Sequence, residues 1–246
     1  MSRVAIVLLV CVVSVSSLHA QRGRGGGGPA ATAKQGAPID LTGYWVSVIS
    51  EDWKYRMVVP NKGVFDAVPL SPQGRKVADG WDAARDEAAG EQCRANGAAA
   101  IMRMPGRLNI TWQDDTTLKV DTDAGTQTRL LRFNAAAPAP AEPTWQGHSL
   151  AQWVVGGAGT TRHGSMKVVT TNLRSGYIRK NGAPYSNRAT VTEYWDLNTL
   201  PNGDRWLTVT TKVEDPLYFT RPYITSSDFK KLAGSTGWNP TPCTVR

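Results

Sequence analysis

Cysteine, histidine and long apolar runs are all scarce in this 246-residue chain, and each scarcity removes a class of function. The three cysteines, Cys11, Cys93 and Cys243, form no Cys-x-x-Cys pair, so neither a dithiol redox centre nor a thiolate zinc site is encoded. The three histidines, His19, His148 and His163, occur without a His-x-His or His-Glu-x-x-His pattern, so no metal site is expected. Gly-x-Ser-x-Gly is missing, which removes the usual nucleophile elbow. The glycine-rich stretch GGAGTTRHG lacks the Lys-Ser/Thr ending that a phosphate-cradling loop needs. No cofactor is therefore expected. Long blocks of like charge are absent too, and without a concentrated basic footprint nucleic-acid binding is not expected.

The longest apolar run, Val4 to Val15, is too short for a transmembrane helix, which needs about 20 residues. It follows Arg3 and precedes Leu18-His19-Ala20, the order of a secretory signal, so residues 1–20 read as a signal peptide and no transmembrane anchor is expected. Residues 21–38 are rich in Gly, Ala and Pro and read as a flexible tether, leaving residues 39–246 as one domain. Four of the 28 basic residues (Arg3, Arg22, Arg24 and Lys34) precede that domain, which leaves it 24 basic against 20 acidic residues, a mild and dispersed excess. Export, to the periplasm or outside the cell, places the chain where disulfides persist. Cys93 and Cys243, the two cysteines that survive removal of the signal, are expected to pair.

What is abundant is alternation. Segments such as LTGYWVSVIS, RLNITWQ, TLKVDTD, TQTRLLRF, HSLAQWVV, SMKVVTTNL, ATVTEYWDL and DRWLTVTTKVED alternate apolar and polar residues, with turn signals such as Asp-Ala-Gly and Pro-Asn-Gly-Asp between them. WKYRMVV reads the same way, as does LYFTRPYITSSDFK near the C-terminus. About nine or ten short strands with local turns imply an all-β, antiparallel sheet that closes into a barrel in preference to a two-sheet sandwich, because closure removes exposed edges. One helical segment interrupts it: Ser71 as N-cap and Pro72 at the first position open a helix broken near Asp79-Gly80, with Val77, Trp81, Ala84 and Ala88 on its apolar stripe.

In ATVTEYWDL, alternation puts Glu193 in the row of Val191, Trp195 and Leu197, facing inward. Arg129 shares a row with Leu131 and Phe133, so a buried Glu193–Arg129 pair is one expectation for that carboxylate. The alternative is acid/base chemistry, with Glu193 and His148 as catalytic groups across a pocket. Trp45, Trp112 and Trp195 could line such a pocket, with Arg129, Tyr194, Arg221 and Tyr223 as further ligand contacts.

Taken in order, GHSLAQW, MKVVTTNL, VTEYWD and VEDPLYFTRPYITSSDFKK resemble a family of exported, uncharacterised bacterial proteins with a lipocalin-like barrel. The resemblance covers residues 41–243 and is clearest in the second half. It implies export and an antiparallel lipocalin-like β-barrel; it implies no activity. The leading expectation is then binding of a small, partly apolar or aromatic molecule inside the barrel. Two further readings stay open: a cofactor-independent lyase or isomerase using His148 and Glu193, and a structural envelope domain whose barrel is filled. Nothing in the sequence sets the oligomeric state.

Overall fold

The computed structural model describes residues 31–157 and 163–246. The signal segment, the first part of the tether and residues 158–162 of the glycine-rich loop lie outside the described residues. Nine strands close into a barrel: β1 (Gly43–Val48), β2 (Arg107–Trp112), β3 (Thr117–Thr122), β4 (Gln127–Arg132), β5 (His148–Gly156), β6 (His163–Thr171), β9 (Thr190–Thr199), β10 (Arg205–Glu214) and β11 (Tyr223–Lys231). Between β6 and β9 the chain leaves the wall to form a small hairpin, β7 (Gly176–Tyr177) with β8 (Pro184–Tyr185).

Around the ring the order is β1-β11-β10-β9-β6-β5-β4-β3-β2. Eight of the nine contacts are antiparallel, but β4 and β5 run parallel, pairing Leu131 with Ser149 and Arg132 with Leu150. This corrects the expectation of a wholly antiparallel barrel. The reason is arithmetic: direction cannot alternate all the way round a ring with an odd number of strands, so one parallel contact is unavoidable. The connection from Phe133 to Gly147 has to return the chain along the wall, and its prolines hold it extended over the outer surface.

The barrel interior is solid. Trp45, Leu108, Ile110, Leu118, Leu131 and Trp195 are fully buried in one cluster with Met166, Val168, Leu207 and Phe229. Trp45 also satisfies its indole by donating to Leu41 O at 2.9 Å. A 3-10 turn, Ile101–Arg103, plugs one end, since Ile101 and Met102 belong to the same cluster. At the other end Trp112, Phe133 and Trp153 stack on one another, with the Phe133 and Trp153 rings 4.8 Å apart. Trp153 donates to Ala33 O at 2.8 Å and Lys34 N donates to Asp115 O at 3.1 Å. Residues 31–38, read from sequence as tether, are thus docked on the barrel; the apolar ring cluster and two open hydrogen-bond positions give them something to bind.

The expected helical segment is broken at Gly80, as the sequence implies, and a further short helix precedes it. The segment WKYRMVV is not a strand: Asp52 takes a left-handed conformation (φ 51°), and α1 (Trp53–Arg56) follows. α2 (Pro72–Asp79) begins as the sequence implies, with Ser71 Oγ accepting from Gly74 N and Pro72 in the first turn, and it stops at Gly80. α3 (Ala83–Ala88) restarts under the cap of Asp82. The buried face of α2 is Gly74 and Ala78, with Val77 exposed, one position off the expected stripe. Gly74 is required there because a Cβ would collide with Tyr218 O. Trp81, expected on the apolar stripe, is buried against Tyr177 and donates to Asp86 at 3.0 Å.

Cys93 and Cys243 form the expected disulfide, closing a loop 150 residues long. It holds the C-terminal tail across the outside of the plugged end, where Thr241 N donates to Asp123 O at 2.9 Å and Thr126 Oγ1 to Thr241 O at 2.8 Å. No helix among the described residues is long and apolar enough to cross a membrane.

Candidate functional site

Glu193 points inward, as alternation requires, and meets Arg129. The guanidinium donates to both carboxylate oxygens, Nη1 to Oε1 at 2.9 Å and Nη2 to Oε2 at 2.7 Å, and both side chains are 0% exposed. Thr170 Oγ1 lies 3.5 Å from Arg129 Nη2 and 2.7 Å from Ser149 Oγ, so the pair is embedded in a small polar network. A fork-to-fork pair with matched charge is the arrangement that makes two buried ions tolerable.

His148 is not part of that network. Ser149 faces inward, so its neighbour His148 faces out, where the β4–β5 connection buries it. Burial, with Arg132 nearby, holds its imidazole below the ordinary histidine range despite a hydrogen bond with the Ala137 backbone. The wall of the barrel separates His148 from Glu193, which removes the geometry that paired acid/base chemistry needs.

The expected ligand contacts are scattered as well. Trp45 and Trp195 are packed in the core, and Tyr223 packs against Phe219. Trp112 belongs to the aromatic cluster at the barrel end. Tyr194 is on the outer surface beneath Lys167, and Arg221 sits exposed in the turn before β11. None of these side chains, nor Glu193, Arg129 or His148, lines any of the five main clefts among the described residues.

What the structure does assemble is a cleft outside the plug, about 180 Å³ in volume. Ala100, Arg103 and Met104, from the plug's outer side, form one wall; Tyr55, Arg56 and Val59, in and just after α1, form the second; Ile178, Arg179 and Lys180, from the loop after β7, form the third. Arg56 and Arg103 are tied to α1 and its flank: Arg56 contacts Glu51 and donates through Nε to Arg103 O at 2.9 Å, and Arg103 donates to Asp52 at 2.9 Å. Arg179 stacks on the Tyr55 ring, 4.5 Å from its centroid, and donates through Nη1 to Asp66 O at 2.8 Å. Lys180 donates to Thr244 Oγ1 at 2.7 Å, so the disulfide-clamped tail helps to position it.

This is an unusual concentration of cations for so enclosed a place. Arg56, Arg103 and Arg179 are each at least nine-tenths buried. Desolvation lowers the Arg56 guanidinium's pKa, with Glu51 pulling the other way, and it lowers the Lys180 ammonium's as well. The rest of the wall is apolar, from Val59, Pro60, Met104, Pro105 and Ile178. Chemically such a cleft can hold and orient a small group. No histidine or carboxylate lines it; its titratable groups besides the arginines are Tyr55 and Lys180.

Sequence reasoning missed this cleft because its three walls come from segments some 40 to 80 residues apart, none of them a barrel strand. One signal was present: WKYRMVV, IMRMP and YIRK each set an arginine among apolar residues, although the first also reads as an alternating strand. Comparison with protein-family models, curated proteins and solved structures finds nothing that matches this chain.

Proposed function

We propose that this protein is a small-molecule-binding β-barrel domain of an oxidising compartment outside the cytoplasm, periplasmic or secreted, and that its ligand sits in the cleft outside the plug and not within the barrel. The observation that carries the reading is the cleft itself, a mixed apolar and cationic hollow framed by three separate segments. Ligand sites generally have that composition, an apolar lining with a few convergent polar groups. The Cys93–Cys243 disulfide supports the compartment, together with the signal-like N-terminus.

The enzyme reading loses its support with the separation of His148 from Glu193. A second reading, a structural envelope domain, is favoured by the tightly filled interior, in which Trp45, Trp195 and Arg129 are 0–1% exposed. Filling the barrel and binding outside it are compatible, because a rigid barrel is a suitable scaffold for a site on its rim.

Val59 lies on the cleft wall and is 41% exposed, so Val59→Trp should obstruct the cleft without disturbing the core. Native mass spectrometry and thermal-shift screening of the oxidised protein should find a ligand whose binding Val59→Trp abolishes. A ligand bound equally by both proteins would remove the cleft as the site; no ligand in either would favour the structural reading.

A further inference from the structure

We infer that the cleft recognises an anionic amphiphile, a molecule with a carboxylate or phosphate head and an apolar body. The inference rests on the cleft being the ligand site.

The charge of the head follows from what the cations lack. Four of them line the cleft, Arg56, Arg103, Arg179 and Lys180. Glu51 and Asp52 offset the first two. The Asp66 carboxylate accepts from Tyr55 Oη at 3.0 Å, and Asp228 acts on Arg56 only as a minor charge. Arg179 and Lys180 form no ion pair with any carboxylate among the described residues, their hydrogen bonds going to Asp66 O and Thr244 Oγ1. Arg56 Nη2, Arg103 Nη1, and Arg179 Nε and Nη2 are buried donors without a partner. Each of these nitrogens has under 1 Å² of accessible surface, so what the cleft presents to an occupant is the uncompensated charge of Arg179 and Lys180 and not a set of open donors.

Arg179 sets the geometry of the head. Tyr55 fixes the plane of its guanidinium and Asp66 O occupies Nη1, which leaves Nε and Nη2 unused. Those two nitrogens form one edge of the guanidinium, the pattern that suits two oxygens of a carboxylate or phosphate, and with under 1 Å² of accessible surface each they come into reach only when the cleft wall gives way. A neutral acceptor could satisfy the bonds but not the charge.

The apolar body follows from size and surroundings. A volume of about 180 Å³ is below the roughly 300–1,000 Å³ of sites that enclose a whole drug-sized ligand. The rest of a larger ligand must leave through the mouth. Val59 is at the exposed edge, and the same segment presents Trp53, Met57 and Val58, which are 66%, 60% and 63% exposed. Met57 N donates to Trp53 O at 2.8 Å, so these two lie one turn apart on the same side of α1. An apolar chain emerging past Val59 would cover surface that is otherwise left to water.

Calorimetric titration of the oxidised mature chain with octanoate, octanol and acetate separates head from body. Octanoate should bind at least tenfold more tightly than either octanol or acetate. Arg179→Met should abolish the preference for octanoate over octanol, while Arg75→Met, an exposed control, should not. Trp53→Ser combined with Met57→Ser should reduce octanoate toward acetate. Should Arg179→Met fail to fold, Lys180→Met is the alternative, with a severalfold loss for octanoate and none for octanol. Sedimentation with vesicles of phosphatidylglycerol or phosphatidylcholine distinguishes the source of the head: Arg179-dependent binding to phosphatidylglycerol alone means a bilayer lipid, and binding of monomeric octanoate alone means a free amphiphile. Equal binding of octanol and octanoate, both blocked by Val59→Trp, would overturn the anionic head while leaving the cleft as the site. Binding of no probe and of no vesicle would overturn both.

Discussion

Removing one partner of the Arg129–Glu193 pair should be among the most damaging single changes in this protein. Glu193→Gln keeps the side-chain volume, but it leaves the guanidinium 0% exposed and without a counter-charge, and it replaces one charge-assisted acceptor by a donor. Breaking a buried pair in this way costs about 3–5 kcal/mol. For a domain of this size each kcal/mol shifts Tm by about 2–4 °C, so a fall of about 6–20 °C is expected. Arg129→Met should cost a similar amount for the mirror-image reason. The double variant, Arg129→Met with Glu193→Leu, removes both charges and should recover most of the loss, because an apolar replacement of a whole buried pair is often neutral or stabilising. Urea denaturation of the oxidised native protein, Glu193→Leu, Arg129→Met and the double variant, followed by tryptophan fluorescence, gives the complete cycle, with Glu193→Gln as the volume-conserving control. Single variants costing less than about 1 kcal/mol and simply additive in the double would refute the reasoning. That result would mean that water reaches the pair, and Glu193 would return as a candidate acid.

Other outcomes follow from other parts of the molecule. The disulfide closes a loop 150 residues long, and in the chain-entropy model it contributes about 5 kcal/mol; reduction, or Cys93→Ser with Cys243→Ser, should lower the urea midpoint accordingly, and an unchanged midpoint would show that the tail is not held by it. His148 has a folded-state pKa below its unfolded value, so the folded state binds fewer protons between the two. Its contribution to stability is complete above the unfolded value, about pH 6.5, and is lost as pH falls toward the folded value. His148→Gln should flatten that part of the stability profile, and an identical acid-side slope would contradict it. Gly182 has φ +83°, and a Cβ there would strike the Trp81 ring, so Gly182→Ala should destabilise by at least about 2 kcal/mol by urea titration. Amino-terminal sequencing of the exported protein should begin at Gln21, and retention of residues 1–20 would refute the signal reading.

The barrel was legible because its strands repeat a period of two, and that period also placed Glu193 and Arg129 on the inner face. Parity already set His148 in the row opposite Ser149, Ala151 and Trp153; what sequence could not show was which row faced in, since that depends on the partner strands. WKYRMVV misled because Trp, Tyr and Val favour strands, whereas the left-handed Asp52 turns the chain into α1. The parallel contact of β4 with β5 was invisible for another reason. Local turns predict neighbours in sequence, and here a connection of some fifteen residues restarts the meander in the same direction. The cleft had no periodic signature at all, being a product of how the plug, α1 and the loop after β7 come together.

That parallel contact also bears on how the barrel forms. Pairing in chain order runs through β1–β4 and again through β5, β6, β9, β10 and β11, and these two blocks join along β1–β11, with four residue pairs, and along β4–β5, with only two. The second junction is the thinnest, so closure there is expected last in folding, and its amides should exchange with solvent sooner than those of β9 and β10, which share ten pairs. Arg129 belongs to the first block and Glu193 to the second. Their ion pair spans the two blocks from within, so it ties together across the interior what the β4–β5 contact joins in the wall by only two residue pairs.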